Sequence, residues 1–158
     1  MTFPVVRPAA WTYPASRPFV LAGGACVIGG GLVSAAMAPA ASYHSSWAVA
    51  YIILVAGVAQ AALGLGQGTL TDGDVPRRVV RAELGGWNLG NAAVVTGTLL
   101  TVAAVLYVGC ALLVTALALM LHAIRHTPSS RTLVATRVII ALILFSMPIG
   151  IVLQALRP

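Results

Sequence analysis

Charged residues are scarce in this 158-residue chain, and lysine is absent. Only 8% of the residues are charged, and all nine basic residues are arginines. Soluble domains carry about 25% charged residues, because their surfaces must stay hydrated. The apolar share of 59% and the mean hydropathy of +0.98 also exclude intrinsic disorder. The composition therefore predicts an all-α, multi-pass transmembrane helix bundle.

Motifs of enzymes and cofactor proteins are missing as well. The sequence has no GxSxG, phosphate loop, HExxH or CxxC, and its glycine clusters lie inside an apolar run rather than after a strand. We therefore expect a non-catalytic protein with no resident cofactor. Haem and quinone stay open as alternatives.

The net charge of +6 raises the question of nucleic acid. A nucleic-acid surface needs basic residues clustered on one face with polar or aromatic readers. Here the arginines stand in ones, twos and threes between apolar runs. We expect no nucleic-acid partner, and we interpret the arginines as the cytoplasmic excess that orients membrane helices.

Apolar runs long enough for a bilayer span recur along the chain. A helix needs about 20 apolar residues to cross the hydrocarbon core. The first run lies between Pro18 and Pro39, Ser45 or Ser46 is a plausible N-cap of the second, and the polar stretch 67–74 predicts a loop. A Pro-rich cytoplasmic tail (1–17) thus precedes one transmembrane domain (18–158), with helices at about 19–38, 46–66, 78–105, 109–126 and 132–156.

The segment from Trp87 to Arg125 decides the number of helices. As a single helix its 39 residues would measure about 60 Å, twice the thickness of the hydrocarbon core. A turn near Leu106–Gly109 divides it, because Gly109 can adopt the backbone angles of a helix C-terminus. Five helices are therefore preferred, with four as the alternative.

The distribution of arginine gives an independent test of this topology. Five helices with a cytoplasmic N-terminus place eight arginines on the cytoplasmic side and Arg157 alone outside. Four helices would place six arginines on the cytoplasmic side and three outside. The positive-inside rule favours the first arrangement. The arginines assigned to the cytoplasmic side are Arg7, Arg17, Arg77, Arg78, Arg81, Arg125, Arg131 and Arg137.

Aromatic residues fall near the predicted membrane boundaries, as interfacial belts do. The inner boundary has Trp11, Tyr13 and Trp87, and the outer boundary has Tyr43, Trp47 and Tyr107.

Small residues recur at helical spacing and predict close helix packing. The first helix carries a stripe of Cys26, Gly30, Ser34 and Ala38, and the third carries Gly86, Gly90, Ala93 and Gly97. Such faces predict a compact bundle, or a flat face for a partner.

Polar residues at membrane depth are the candidates for function. Gln60 and Asn91 could hydrogen-bond across helices or touch a ligand head group. Glu83 suggests a surface ion pair with the nearby arginines. Alternatively, Glu83, Trp87 and Asn91 form one wall of an inner-leaflet pocket for a quinone or lipid head group. The candidate ligand-binding residues are Gln60, Glu83, Trp87 and Asn91.

The histidines offer a weak metal alternative. His122 and His126 are spaced i, i+4 and could face one ion. His44 joins them on one side of the membrane only in the four-helix topology. We predict no metal site and interpret all three as polar residues at helix ends.

These observations favour a small, non-catalytic integral protein of the plasma (cytoplasmic) membrane. We expect an accessory or assembly subunit that packs against itself or a larger membrane complex, with the lipid bilayer and other membrane subunits as its partners. The alternative is a binding or transport module for a small hydrophobic ligand (lipid, quinone or haem) within the bundle.

Overall fold

The structure, a computed structural model, describes residues 9–155, and the rest of the predicted tail and Arg157 lie outside this range. The described chain is all-helical and contains five long helices, as predicted. They are α1 (Arg17–Met37), α2 (Tyr43–Leu70), α3 (Arg77–Leu99), α4 (Ala103–Ala123) and α5 (Arg131–Ala155). Short 3₁₀ turns, Ala10–Thr12 and Ala38–Ala40, flank α1.

Helices α1 and α2 pack through glycine. A Cβ atom added to Gly23 would lie 2.6 Å from the carbonyl oxygen of Gly57, so the two backbones are nearly in contact. Gly30 packs against the side chain of Ile53, where an added Cβ atom would lie 2.6 Å from Cγ1. The predicted stripe was correct only at Gly30, because Ser34 and the residues after it are exposed.

Helix α2 begins earlier and ends later than predicted. Ser42, not Ser45 or Ser46, is its N-cap, and Ser45 completes a capping box with it: the backbone N–H of Ser45 donates to Ser42 Oγ at 3.2 Å, and that of Ser42 to Ser45 Oγ at 2.8 Å. The helix contains a π-helical segment, Ile52–Ala59, and continues to Leu70. Residues 67–70, predicted as loop, are therefore helical.

The turn between α3 and α4 lies earlier in the chain than the predicted turn near Leu106–Gly109. It lies at residues 100–102, where Thr101 has a φ of 56° and the Val102 N–H donates to the Gly97 carbonyl at 2.9 Å. This is the hydrogen bond of a Schellman motif, with threonine where glycine is usual. Gly109 lies within α4 and faces α3, where a Cβ atom would lie 2.8 Å from the Gly90 carbonyl oxygen. Its small size serves helix packing, not the turn.

The glycine face predicted on α3 is confirmed by its contacts with α4. Gly86 faces Ala116, Gly90 faces Leu113, and Gly97 faces the backbone of Leu106. Without a hydrophobic driving force in lipid, such close van der Waals packing joins membrane helices. The face is thus used inside the protein.

Contacts between chain segments show which helix ends lie together. Ser16 Oγ, just before α1, donates to the Gly64 carbonyl near the end of α2 at 2.9 Å. Thr127, just after α4, donates to the Leu70 carbonyl at 3.3 Å. Thr136, in the second turn of α5, packs against Gly66. The start of α1, the end of α2, the end of α4 and the start of α5 therefore share one end of the bundle.

Every arginine that the structure describes lies at this end of the bundle, which we call the arginine end. Each of them is in a loop or within the first two turns of a helix. All are exposed to the surroundings. They are Arg17, Arg77, Arg78, Arg81, Arg125, Arg131 and Arg137.

Four helices are long and apolar enough to cross a membrane: Arg17–Ala40, Tyr43–Leu70, Ala103–Ala123 and Arg131–Ile149. Helix α3 is not among them. It carries three arginines and Glu83 in its first two turns, and Asn88 and Asn91 further along. It runs antiparallel along α4. The outer surface of the bundle is apolar, with side chains such as Leu21, Phe145 and Leu142 exposed. This composition and surface fit a multi-pass membrane protein.

Candidate functional site

A group of polar side chains lies inside the bundle on α2 and α3. We call it the polar cluster: Tyr51, Gln60, Gln67, Glu83, Trp87 and Asn91. Burial in a mostly apolar core makes each of its polar atoms costly unless it finds a partner.

All four candidate residues from the sequence belong to this cluster. Gln60, Glu83 and Trp87 have no exposed surface, and Asn91 is 3% exposed. On α3, Glu83, Trp87 and Asn91 follow one another at four-residue spacing and so share a face. The prediction that Trp87 belongs to the aromatic belt at the inner boundary was wrong, because its side chain is fully buried in the core.

Glu83 is held by an amide rather than by an arginine. Gln67 Nε2 donates to Glu83 Oε1 at 2.9 Å and to Oε2 at 3.0 Å. The predicted surface ion pair was wrong, because Glu83 points into the bundle while the arginines of α3 point out.

Asn91 makes the second link between α2 and α3. Its Oδ1 accepts a hydrogen bond from the Tyr51 hydroxyl at 2.9 Å, and its Nδ2 donates to the Trp87 carbonyl at 2.8 Å. These bonds satisfy both ends of the amide. Asn91 is thus an anchor that fixes the α3 face relative to Tyr51.

Four buried polar atoms of the cluster have no hydrogen-bond partner within the described residues. They are Nε2 and Oε1 of Gln60, Oε1 of Gln67 and Nε1 of Trp87. More than nine in ten buried polar groups in proteins are hydrogen-bonded, and an unpaired one costs about 1–3 kcal/mol. Four such atoms on three buried side chains therefore carry a burial cost that the described residues do not compensate.

Two of the three side chains with unpartnered atoms, Gln60 and Trp87, come between the hydrogen-bonded residues along their helices. Gln60 stands between Tyr51 and Gln67 along α2, and Trp87 stands between Glu83 and Asn91 along α3. The backbones of α2 and α3 are closest along the first half of α2. Beyond it, the Gln67 and Glu83 side chains join the two helices by hydrogen bonds.

The π-helical segment of α2 ends directly at Gln60. A π-helical turn changes the direction of the side chains that follow it and is frequent at functional sites. It sets the rotation of the second half of α2, and with it the face that carries Gln60 and Gln67.

The cluster offers hydrogen bonds and one carboxyl group. Gln60 brings donors and an acceptor, Trp87 a donor, and Gln67 an acceptor. The rest of the core around it is apolar, including Phe19, Leu63 and Leu113. Such an arrangement can bind a small molecule that has an apolar body and a polar head.

Sequence reasoning missed Tyr51 and Gln67. Gln67 follows Gln60 by seven residues and so shares its helix face, a signal that the predicted loop at 67–74 concealed. Tyr51 gave no signal, because a tyrosine in an apolar helix is ordinary.

The histidines do not form a site together. His44 lies in the first turn of α2, at the end of the bundle opposite His122 and His126. Arg125 lies against both of the latter, and its Nε donates to His126 Nε2 at 2.8 Å. Across residues 9–155 no group of three His, Cys, Asp or Glu side chains could hold a metal ion.

No protein-family model, curated protein or solved structure matches this chain.

Proposed function

We propose that this protein is a multi-pass membrane protein that binds a small amphipathic molecule at the polar cluster. The observation that carries the proposal is the set of four unpartnered atoms on Gln60, Gln67 and Trp87. A bound head group with hydrogen-bonding atoms would satisfy them, and its apolar part would pack against the core. Haem fits less well than a small head group, because the histidines lie exposed at the ends of the bundle.

The charge distribution supports an orientation with the arginine end in the cytoplasm of a plasma membrane. Arginines accumulate on the cytoplasmic side of membrane helices. The N-terminus would then be inside, and the loops 38–42 and 100–102 outside. Helix α3 would cross the bilayer alongside α4, with its first two turns at the inner interface.

Cysteine labelling in intact cells tests this orientation. With Cys26 and Cys110 replaced by alanine, we expect a membrane-impermeant maleimide to label Ala41→Cys at once and Ser129→Cys only after permeabilisation. Both positions are exposed in loops. The reverse pattern would place the arginine end outside the cell and contradict the proposal.

A second candidate function, assembly with other membrane subunits or with a second copy, is supported by α1. Every residue from 31 to 40 is exposed, and added Cβ atoms at Gly24, Gly29 and Gly31 would meet nothing within 4 Å. Glycines in open space on a membrane helix permit close approach of another helix. Gly86, Gly90 and Gly97 of α3 give no such support, because α4 covers them.

Native mass spectrometry from nanodiscs tests both functions in one measurement. Ligand binding predicts the mass of the monomer plus one small adduct, which Gln60→Leu removes. Assembly predicts dimers or co-purifying subunits, which Gly31→Leu on α1 removes and Gln60→Leu does not. A bare monomer with neither adduct nor partner would count against both.

A further inference from the structure

We propose that the molecule bound at the polar cluster is a lipophilic organic monocation, held by the Glu83 carboxylate and the Trp87 indole. This inference rests on the proposed ligand-binding function and names the chemical class of its ligand.

Glu83 has no exposed surface, whereas every arginine that the structure describes is exposed. The other described acids, Asp72 and Asp74, are also exposed. A buried charge is costly unless an opposite charge compensates it. Among residues 9–155 only the Gln67 amide hydrogen-bonds to Glu83. A bound cation would compensate the charge of the carboxylate.

Both Glu83 carboxyl oxygens lie within hydrogen-bond distance of the same nitrogen, Gln67 Nε2, at 2.9 and 3.0 Å. Gln67 Oε1 has no partner among the described residues. These contacts leave lone pairs on both Glu83 oxygens and on Gln67 Oε1 for a donor or a positive charge. A positive charge bound beside the carboxyl group would favour its ionised form.

Trp87 follows Glu83 by one helical turn on the same face of α3, so the two side chains are neighbours. Tryptophan is the aromatic side chain that binds cations best, and the attraction grows when water is excluded. Both side chains are fully buried. A carboxylate beside a buried aromatic ring is a suitable environment for an ammonium head group.

The ligands of the polar cluster suit an organic monocation better than a divalent metal ion. A divalent metal ion prefers six or more oxygen ligands, usually with several carboxylates. The polar cluster has one carboxylate, two glutamines and one asparagine whose oxygen is already bonded to Tyr51. One negative charge matches one positive charge, and the apolar core suits the organic substituents of an amine.

Fluorescence of Trp87 tests this assignment with two probes of equal shape. In a Trp11→Phe/Trp47→Phe background, Trp87 is the sole tryptophan. The probes are benzyltrimethylammonium and neopentylbenzene, its neutral isostere with carbon in place of nitrogen. We expect saturable quenching by the cation, at least about tenfold tighter than any effect of the neutral compound.

Substitution of Glu83 gives the decisive comparison. Glu83→Gln should weaken binding of the cation by roughly thirtyfold or more, because the pair is desolvated. Glu83→Asp keeps the charge and should retain more binding than Glu83→Gln. Asp74→Asn removes an exposed carboxylate at the same end of the bundle and should change nothing. Thermal unfolding of each variant verifies that it is folded.

The outcomes separate the ligand class from the site itself. If neopentylbenzene or decylubiquinone binds as tightly as the cation, and Glu83→Gln leaves cation binding unchanged, the cation assignment is overturned while the binding site stands. If none of the three compounds perturbs Trp87 and native mass spectrometry finds no adduct, the proposed ligand-binding function fails with it.

Discussion

Replacement of Gly109 by valine is expected to separate α3 from α4 and to lower the free energy of unfolding by about 3 kcal/mol, the upper end of the usual cost of overpacking. A Cβ atom at Gly109 would lie 2.8 Å from both the Gly90 carbonyl oxygen and the Val94 backbone nitrogen. Helical backbone atoms cannot rotate away as a side chain can. The two helices must therefore move apart, and they lose van der Waals contacts along their length.

Gly85→Val is the matched control for this experiment. Gly85 lies on α3, and an added Cβ atom there would meet nothing within 4 Å. The same substitution should change stability by no more than about 0.5 kcal/mol. Unfolding by SDS titration in mixed micelles measures both variants. Equal destabilisation of the two would show that helix propensity, rather than the α3–α4 contact, is responsible.

Gln60→Leu is expected to stabilise the ligand-free protein by about 1–3 kcal/mol while it weakens ligand binding. Neither polar atom of Gln60 has a partner among the described residues, so the folded chain bears the full cost of burying the amide. Leucine has a similar volume and no polar atoms. A substitution that raises stability and lowers binding is the signature of a residue kept for its function.

Gln67→Leu is the control, since it removes an equally buried amide from the same helix. Gln67 Nε2 donates to both oxygens of Glu83, so Gln67→Leu leaves the buried carboxyl group of Glu83 without this hydrogen-bond donor. We expect it to destabilise the protein where Gln60→Leu stabilises it. The same SDS titration decides the sign, and native mass spectrometry follows the adduct. Destabilisation by Gln60→Leu would mean that the Gln60 amide has a partner in the folded chain.

The helix count was predictable, but the turn between α3 and α4 was not. The 39-residue apolar segment is too long for one helix, and this argument required only its length. The position of the turn depended on whether Gly109 serves a turn or a contact. Both uses need the absence of a side chain, and only the packing against Gly90 distinguishes them. The left-handed Thr101 that makes the turn carries no signal in the sequence.

The candidate site was predictable in its residues but not in its bonds. Gln60, Glu83, Trp87 and Asn91 stood out because polar and amphipathic groups are rare in these apolar runs. The expectation for Glu83 was nevertheless wrong, since three arginines near it in sequence suggested a surface ion pair. Rotation of α3 turns Glu83 inward and those arginines outward. Its true partner, Gln67, lies on another helix, and sequence spacing carries no information about such a contact.

The scarcity of charge by itself determined that this chain is an apolar helical bundle, because 8% charged residues cannot cover a water-facing surface. The positions of the arginines determined which helix ends lie together, since charge is expelled from the hydrocarbon core. Only the tertiary structure decided that the few polar side chains meet inside the bundle. That meeting depends on helix rotation and on the close approach of glycine faces. In the same arrangement, the described residues offer no hydrogen-bond partner to the Gln60 amide or the Trp87 indole N–H, and we propose that a ligand binds there.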